Sequence, residues 1–344
     1  MGLTVGLMYN LGKNEPPEEG EPPDAHAELD SEQTVKAIAA ALTSVGHEVV
    51  RIEGDEEAYP KLRAVRPDIV FNICEGLRGE SRESQIPALL EMLGIPYTGS
   101  GVLALALSLD KAAAKKMLLY HGVPTPAFKT IAPGEMIDWN GLRFPLFVKP
   151  ANEGSSMGIT PDSKVDTPSE LVERVQYVHD MYRQAALVEE FIDGREFTVG
   201  LVGNENPTIF PIMELNYGIV PTGHGNIYSY QFKKEWDADE YYLCPAPVDQ
   251  ATEQLLKRTA FAAFRALGCV DVARVDIRMG ADGIPYVLEV NALPGLSPGF
   301  SDLCRQADKG GYTYEQLVNS ILDAALQRWR LAEVVRRRLA ETAD

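Results

Sequence analysis

The chain has 344 residues, 45% of them hydrophobic and 24% charged, with a formal net charge of -18 and four cysteines. That length exceeds a single small core and predicts two or three domains, while the acidic balance excludes wrapping nucleic acid or binding an anionic membrane, since both need clustered Lys and Arg. The cysteines (Cys74, Cys244, Cys269, Cys304) form no Cys-x-x-Cys pair, no apolar run approaches the roughly 20 residues of a membrane helix, and the first residues lack a signal-peptide pattern, so the expected setting is the reducing cytoplasm.

Thr4–Tyr9 is a short apolar run that predicts a strand, residues 31–45 carry helical periodicity, and residues 48–52 predict a second strand. This is a βαβ opening. The connection over residues 10–30 is long, acidic and proline-rich, and reads as a mobile loop with a functional role. Residues 68–73 continue as a buried strand, followed by a helix over about 83–93 and the turn Pro96-Tyr97-Thr98-Gly99. A further helix starts at Asp110 and stops before Gly122-Val123-Pro124. A strand over 145–149 then runs into Asn152-Glu153-Gly154-Ser155-Ser156-Met157-Gly158. Thr167-Pro168-Ser169-Glu170 predicts a capping box with proline at the first helical position, and strands follow over 186–192 and 196–202 around the turn Asp193-Gly194. Residues 216–244 hold tyrosines, Lys233 and Lys234 without periodicity, and read either as a loop over a site or as a surface excursion. Arg328, Arg330 and Arg336 to Arg338 fall on a last amphipathic helix, as a solvated face.

Val272 to Asn291 reads as a β-hairpin about the two-residue turn Asp282-Gly283. Pairing outward from that turn sets Asp276 opposite Glu289 and Arg274 opposite Asn291, with Val275/Val290, Ile277/Leu288 and Met279/Tyr286 on the apolar face. Two opposed carboxylates repel unless positive charge sits between them. Acid, acid and amide are hard oxygen donors that suit magnesium; the alternative is a solvated face in which Arg274 neutralises both acids.

Gly154-Ser155-Ser156-Met157-Gly158 offers backbone N–H groups and hydroxyls that can wrap a phosphate, without the Walker spacing. The same stretch matches Gly-x-Ser-x-Gly, which would make Ser156 a nucleophile with His179 or His224 as base. An elbow serine directly follows a strand, however, and here Pro150 to Gly154 intervene. Lys149 at a strand end and Lys111 at a helix start either reach a phosphate or are solvated. Glu189-Glu190, Phe191-Ile192 and Glu196 either offer polar groups to a nucleotide or form a solvated strand end.

Taken together these segments resemble the ATP-grasp superfamily and, within it, the D-alanine-D-alanine ligases. The similar stretches are Gly94-Ile95-Pro96-Tyr97-Thr98-Gly99-Ser100, Leu109-Asp110-Lys111, residues 145–158, Glu196-Phe197-Thr198-Val199, Arg274-Val275-Asp276, and Leu288-Glu289-Val290-Asn291 through Pro294-Gly295, in family order. The resemblance implies an α/β and α+β chain: an N-terminal α/β (pre-ATP-grasp) domain over 1–104, a central ATP-grasp subdomain over 105–192, and a C-terminal one over 193–344. It implies that Lys111 and Lys149 meet the ATP phosphates, that Glu189, Glu190, Phe191 and Ile192 meet the adenine, and that Glu196 holds the ribose. Ser155 and Ser156 would cover the γ-phosphate, with Lys233 closing over it. Asp276, Glu289 and Asn291 would bind two magnesium ions, for which manganese can substitute, and Arg274 with the Gly295 N–H would stabilise an oxyanion. The implied reaction is ATP-dependent carboxylate-amine ligation through an acyl phosphate, releasing ADP and phosphate, of the kind used in cell-wall biosynthesis. Its partners would be amino acid or amine substrates, and the family suggests a homodimer.

Departures gather around the amino-acid pocket. The family's Gly-Gly-x-Ser-x-Glu-Arg opening is missing, with Glu28 as a stand-in. Glu75 occupies the usual histidine position before Gly76, Lys234 follows the loop lysine, and Phe300 stands near the usual carboxylate-binding serine with Ser301 one place off. Substrates other than D-alanine, or a nucleotide-binding regulator without turnover, are the alternatives.

Overall fold

The computed structural model describes residues 2–12, 20–220, 227–229, 232 and 239–331. Strands β1 (Thr4–Tyr9), β2 (Glu48–Glu53) and β3 (Ile69–Asn72) form a parallel sheet in the order β2-β1-β3. Parallel neighbours need crossovers. Helices α1 (Glu32–Ser44) and α2 (Ala58–Val65) supply them, and Ser31 caps α1 by accepting a hydrogen bond from the Thr34 N–H. Helix α3 (Gln85–Leu93) ends on Gly94 at φ 66°, the left-handed stop that glycine tolerates best.

Asp110 then joins two helices that abut, α4 (Val102–Leu109) and α5 (Lys111–Tyr120), and its Oδ1 accepts from the N–H groups of Ala112 and Ala113 at 3.0 and 2.9 Å. The start at Asp110 was legible in sequence. Helix α4 was not, because Val102 to Leu109 is too uniformly apolar to show a period.

The second sheet is antiparallel, in the order β4-β7-β5-β6, from β4 (Phe128–Ile131), β5 (Leu146–Pro150), β6 (Lys164–Val165) and β7 (Ala186–Glu190). Helix α6 (Pro168–Tyr182) covers it, with Leu171, Val175 and Val178 packed on Leu146, Val148 and Val188. Thr167 accepts from the Glu170 N–H, but the Glu170 carboxylate accepts from the Asp166 N–H at 2.7 Å, so the expected capping box is only half made.

The third sheet holds β8 (Arg195–Val202), β9 (Thr208–Ile209), β10 (Met213–Leu215), β11 (Tyr242–Leu243), β12 (Val272–Met279) and β13 (Pro285–Asn291). Its order is β11-β10-β8-β12-β13, with β9 on β8. Helix α7 (Gln250–Ala266) buries Leu256, Ala260 and Phe264 with Val199, Val275 and Ile277 of this sheet. The hairpin of β12 and β13 pairs Arg274 with Asn291, Val275 with Val290 and Asp276 with Glu289, as expected. Beyond Asp276 the register shifts, so Ile277 meets Val287 rather than Leu288 and Met279 meets Pro285 rather than Tyr286. One residue is left over on β13, as in a β-bulge, and residues 280–284 form the connection in place of a two-residue turn.

Helices α8 (Asp302–Lys309) and α9 (Tyr314–Arg328) return to the first sheet, where Leu317, Ile321 and Leu322 share a core with Val35, Ile38 and Leu42 of α1. Arg328 is no solvated helix residue. Its Nη2 lies 2.7 Å from Oδ2 of the fully buried Asp271 and donates to the Tyr97 carbonyl at 2.8 Å. Arg330 lies past the end of α9, and Arg336 to Arg338 fall outside the described residues. No helix among the described residues is long and apolar enough to cross a membrane.

Candidate functional site

Two cavities meet at the polar face of the β12-β13 hairpin. One lies between the second and third sheets and is lined by Lys149, Ser156, Phe191, Ile192, Glu196 and Asp276, among others. The other opens toward the first sheet, against Glu75, Glu83, Lys111, Ser155, Asn291 and Gly295. Arg274 and Glu289 line both and form the wall between them. Every site residue expected from sequence lines one of the two, except Lys233, which lies outside the described residues.

In the first cavity Lys149 Nζ sits 2.9 Å from Glu189 Oε1, and Lys115 Nζ 2.6 Å from Glu189 Oε2, all three side chains buried. Burial alone would raise the Glu189 carboxyl, yet the two ammonium groups hold it below its usual range. Burial pushes Lys115 down to about 8 despite Glu189. Glu190 points its carboxylate at Arg143, whose Nε and Nη2 donate at 3.1 and 2.9 Å. Its neighbours Phe191 and Ile192 carry no charge to pair, although the Ile192 carbonyl accepts from Arg278 Nη1 at 3.0 Å. Glu196 Oε2 accepts from Tyr217 at 2.8 Å and from Arg278 Nε at 2.7 Å, and the Arg278 guanidinium lies 4.7 Å from the Phe191 ring centre.

The glycine-serine loop is sharply folded: Ser155, Ser156 and Gly158 have φ of 46°, 61° and 72°. A Cβ on Gly158 would come within 2.5 Å of Pro150 Cγ. The described part of the acidic N-terminal loop is tied down on this segment. Glu28 Oε1 accepts from the Gly154 N–H at 2.7 Å, and Asp24 Oδ2 from the Gly158 N–H at 2.8 Å. Ser156 has no histidine partner among the described residues, outside which His224 lies, and His179 instead places Nε2 2.9 Å from the Ile131 carbonyl on β4.

At the shared wall Asp276 faces Glu289 across the ladder. Asp276 Oδ1 accepts from Thr198 Oγ1 and Arg274 Nε at 2.9 and 3.2 Å, and Oδ2 from Arg274 Nη2 and Asn291 Nδ2 at 2.9 and 3.0 Å. Burial raises the Asp276 carboxyl, with Arg274 opposing. Arg274 pairs directly with Asp276, while Glu289 Oε2 lies 3.5 Å from Lys111 Nζ. Lys111 also donates to the Glu153 carbonyl. The donor set of two carboxylates and an amide oxygen fits a hard divalent cation, which would take over acceptor positions that Arg274 and Asn291 now fill.

In the second cavity Glu28 is committed, because Arg82 Nη2 donates to its Oε2 at 2.6 Å while Gly154 holds the other oxygen. Burial and the charges of Glu83, Glu28 and Asp30 drive the Glu75 carboxyl well above its usual range. Ser301 Oγ accepts from the Ser297 N–H at 2.9 Å beside Gly295.

Sequence reasoning missed Lys115, Arg278, Thr198, Arg82 and Glu83. Two had a signal. Lys115 is one helical turn beyond Lys111, and Arg278 continues the alternation of Arg274 and Asp276 along one strand face.

The family profile described as D-ala D-ala ligase C-terminus matches residues 120–323. A D-alanine--D-alanine ligase of Syntrophotalea carbinolica is 39% identical over 298 residues, covering 86% of this chain and 91% of its own. The chain belongs to the D-alanine-D-alanine ligase family. The uncharacterized protein y4sG of Sinorhizobium fredii is also 39% identical, over 302 residues, covering 85% of this chain and 87% of its own. The crystal structure of a Bacillus anthracis D-alanine--D-alanine ligase complexed with ATP superposes with a TM-score of 0.73 at 26% identity, covering 96% of this chain and 99% of that one. As a member of this family the chain has the ATP-grasp fold and is an ATP-using ligase that forms a carbon-nitrogen bond.

Proposed function

We propose that this ligase joins two amino acids, with D-alanine, the substrate in its relatives' names, as the first candidate. The observation that carries the reading is the wall of Arg274 and Glu289 shared by the two cavities. A nucleotide in one cavity and a carboxylate in the other would meet there. A carboxylate oxygen of the first substrate attacks the γ-phosphorus of ATP and ADP leaves. The amine nitrogen of the second substrate then attacks the acyl carbon, phosphate leaves, and the nitrogen gives up a proton.

Lys149 and Lys111 are the cations offered to the phosphates, Ser155 and Ser156 cover them, Phe191 and Ile192 flank the base, and Glu196 reaches the ribose. Lys233 is proposed to close over the nucleotide. Arg274 and the Gly295 N–H are the donors for the oxyanion of the tetrahedral intermediate, where a well-placed donor contributes roughly 3 kcal/mol. Asp276, Glu289 and Asn291 would hold one or two magnesium ions, which neutralise charge on the transferred phosphoryl group. The expected location is the cytoplasm, and the expected assembly is the homodimer. The order of Arg274, Asp276 and Asn291 about one hydrogen-bonded cluster favours turnover over a regulator that only binds nucleotide.

The test is ADP and phosphate release from magnesium-ATP on addition of D-alanine or other amino acids, with the product weighed by mass spectrometry. A dipeptide formed in step with ADP supports the reading. ATP binding without amino-acid-dependent ADP release overturns it.

A further inference from the structure

The cavity on the substrate side is lined by more carboxyl groups than its cations pair with. Glu28 is used up by Arg82 and the Gly154 N–H, and Glu289 lies beside Lys111. Arg82, the neighbouring cation, spends its guanidinium on Glu28, Glu153 and the Asn152 carbonyl. Three other acids on the cavity wall form no ion pair among the described residues, though the Asn10 backbone N–H serves the Asp30 carboxyl and the charges of Arg82 and Lys111 are felt at Glu83. Glu83 is only 8% exposed and makes no hydrogen bond or ion pair with any described residue. Asp30 Oδ2 is buried without a hydrogen-bond partner, and Glu75, half-buried beside them, makes neither hydrogen bond nor ion pair among the described residues.

A buried carboxylate is costly unless a cation or donors complete it. Asp30, Glu75 and Glu83 leave carboxyl oxygens open on one stretch of wall, and an ammonium group brings three N–H donors to them. Resting on the ligase reading above, we propose that this cavity takes a diamino acid, whose second ammonium sits among Asp30, Glu75 and Glu83, in preference to alanine. Charge-assisted N–H···O bonds to a flexible ammonium would fill the acceptors left open in the protein. Burial pushes Asp30 up to about 7 and Glu83 up to about 8, so these acids hold protons near neutral pH before substrate binds, and an ammonium placed among them favours releasing one.

The experiment measures ADP release from magnesium-ATP with the D and L forms of alanine, 2,4-diaminobutanoate and ornithine, and with ornithine acetylated on its side-chain nitrogen. The expected result is a kcat/KM at least tenfold above alanine for one diamino acid, lost on acetylation. Glu83→Gln should lower that diamino-to-alanine ratio at least tenfold, with calorimetric binding of magnesium-ATP as the check that the variant is folded. Asp30→Asn, read in the same way, serves if Glu83→Gln does not fold. Alanine used as well as any diamino acid, or a ratio unmoved in a folded variant, overturns the inference and leaves the ligase reading standing. No ADP release with any amino acid removes both.

Discussion

Lys115 Nζ lies 2.6 Å from one oxygen of Glu189 while Lys149 Nζ lies 2.9 Å from the other, so one buried carboxylate anchors two ammonium groups. Lys115 also donates to Thr125 Oγ1 at 2.7 Å, which in turn donates to the Val287 carbonyl on β13. The cluster ties α5 and β7 to the hairpin and carries a net positive charge at the back of the nucleotide cavity. Replacing Glu189 with leucine leaves both lysines buried and unpaired, which should cost about 3–5 kcal/mol. Thermal melting of Glu189→Leu is expected to start well below wild type, and an unchanged midpoint rejects the anchoring role.

Arg274 offers a planar fork to Asp276 that lysine cannot reproduce. Arg274→Lys keeps the charge and should still bind magnesium-ATP within a few-fold, yet lose about a hundredfold or more in kcat if the guanidinium steadies the oxyanion. Calorimetry and steady-state ADP release separate the two quantities. Equal losses in both would make Arg274 a binding residue.

Gly158 sits at φ 72° with Pro150 close against it, and its N–H is held by Asp24. Gly158→Ala therefore strains the backbone and sets a Cβ within 2.5 Å of Pro150 Cγ. ATP affinity should fall at least tenfold with little change in the midpoint of melting, because the strain is confined to the loop. Normal affinity in the variant would show that the loop does not shape the phosphate site.

Most of the first two sheets was legible because the strands are short apolar runs bounded by caps at Ser31, Asp110 and Thr167, whose side chains act locally. The polar face of the hairpin was legible down to the Asp276 and Glu289 pairing, since alternation fixes which residues share a face. Its far end was not, because a bulge next to Asp276 shifts every pair beyond it without a glycine or proline to mark the place. Long-range partners were equally hidden. Nothing near Arg328 in sequence announces Asp271, and Glu83 looks like any acid at the start of a helix until the first and third sheets close around it.

The Arg328 pair joins α9 to the turn after Pro96 and to the start of β12. Asp271 also accepts from the Gly99 N–H at 3.0 Å and from Asn204 Nδ2 at 3.1 Å. Arg328→Ala strands a fully buried carboxylate and should destabilise by about 3 kcal/mol. Adding Asp271→Asn ought to restore part of the lost midpoint in a melting experiment, since the charge is removed while most donors remain satisfied. Lack of any rescue would point to lost packing of the arginine stem instead.

Glu83 makes a prediction about pH whose sign follows from burial. In the folded chain without substrate its carboxyl is pushed up to about 8, chiefly by burial and then by the charge of Glu28, against an ordinary value of 4.5. Between those two values the folded state keeps a proton that the unfolded chain has released. Stability from this group therefore falls as pH rises from about 4.5 and levels off above about 8. Glutamine carries no such proton, so the stability of Glu83→Gln relative to wild type should grow steadily between pH 5 and pH 8 and then stay constant. Urea unfolding of both proteins at pH 5, 6.5, 8 and 9 gives the difference directly, with groups remote from Glu83 cancelling in it. A difference independent of pH would mean that Glu83 is ionised in the folded protein at neutral pH, with a cation already beside it.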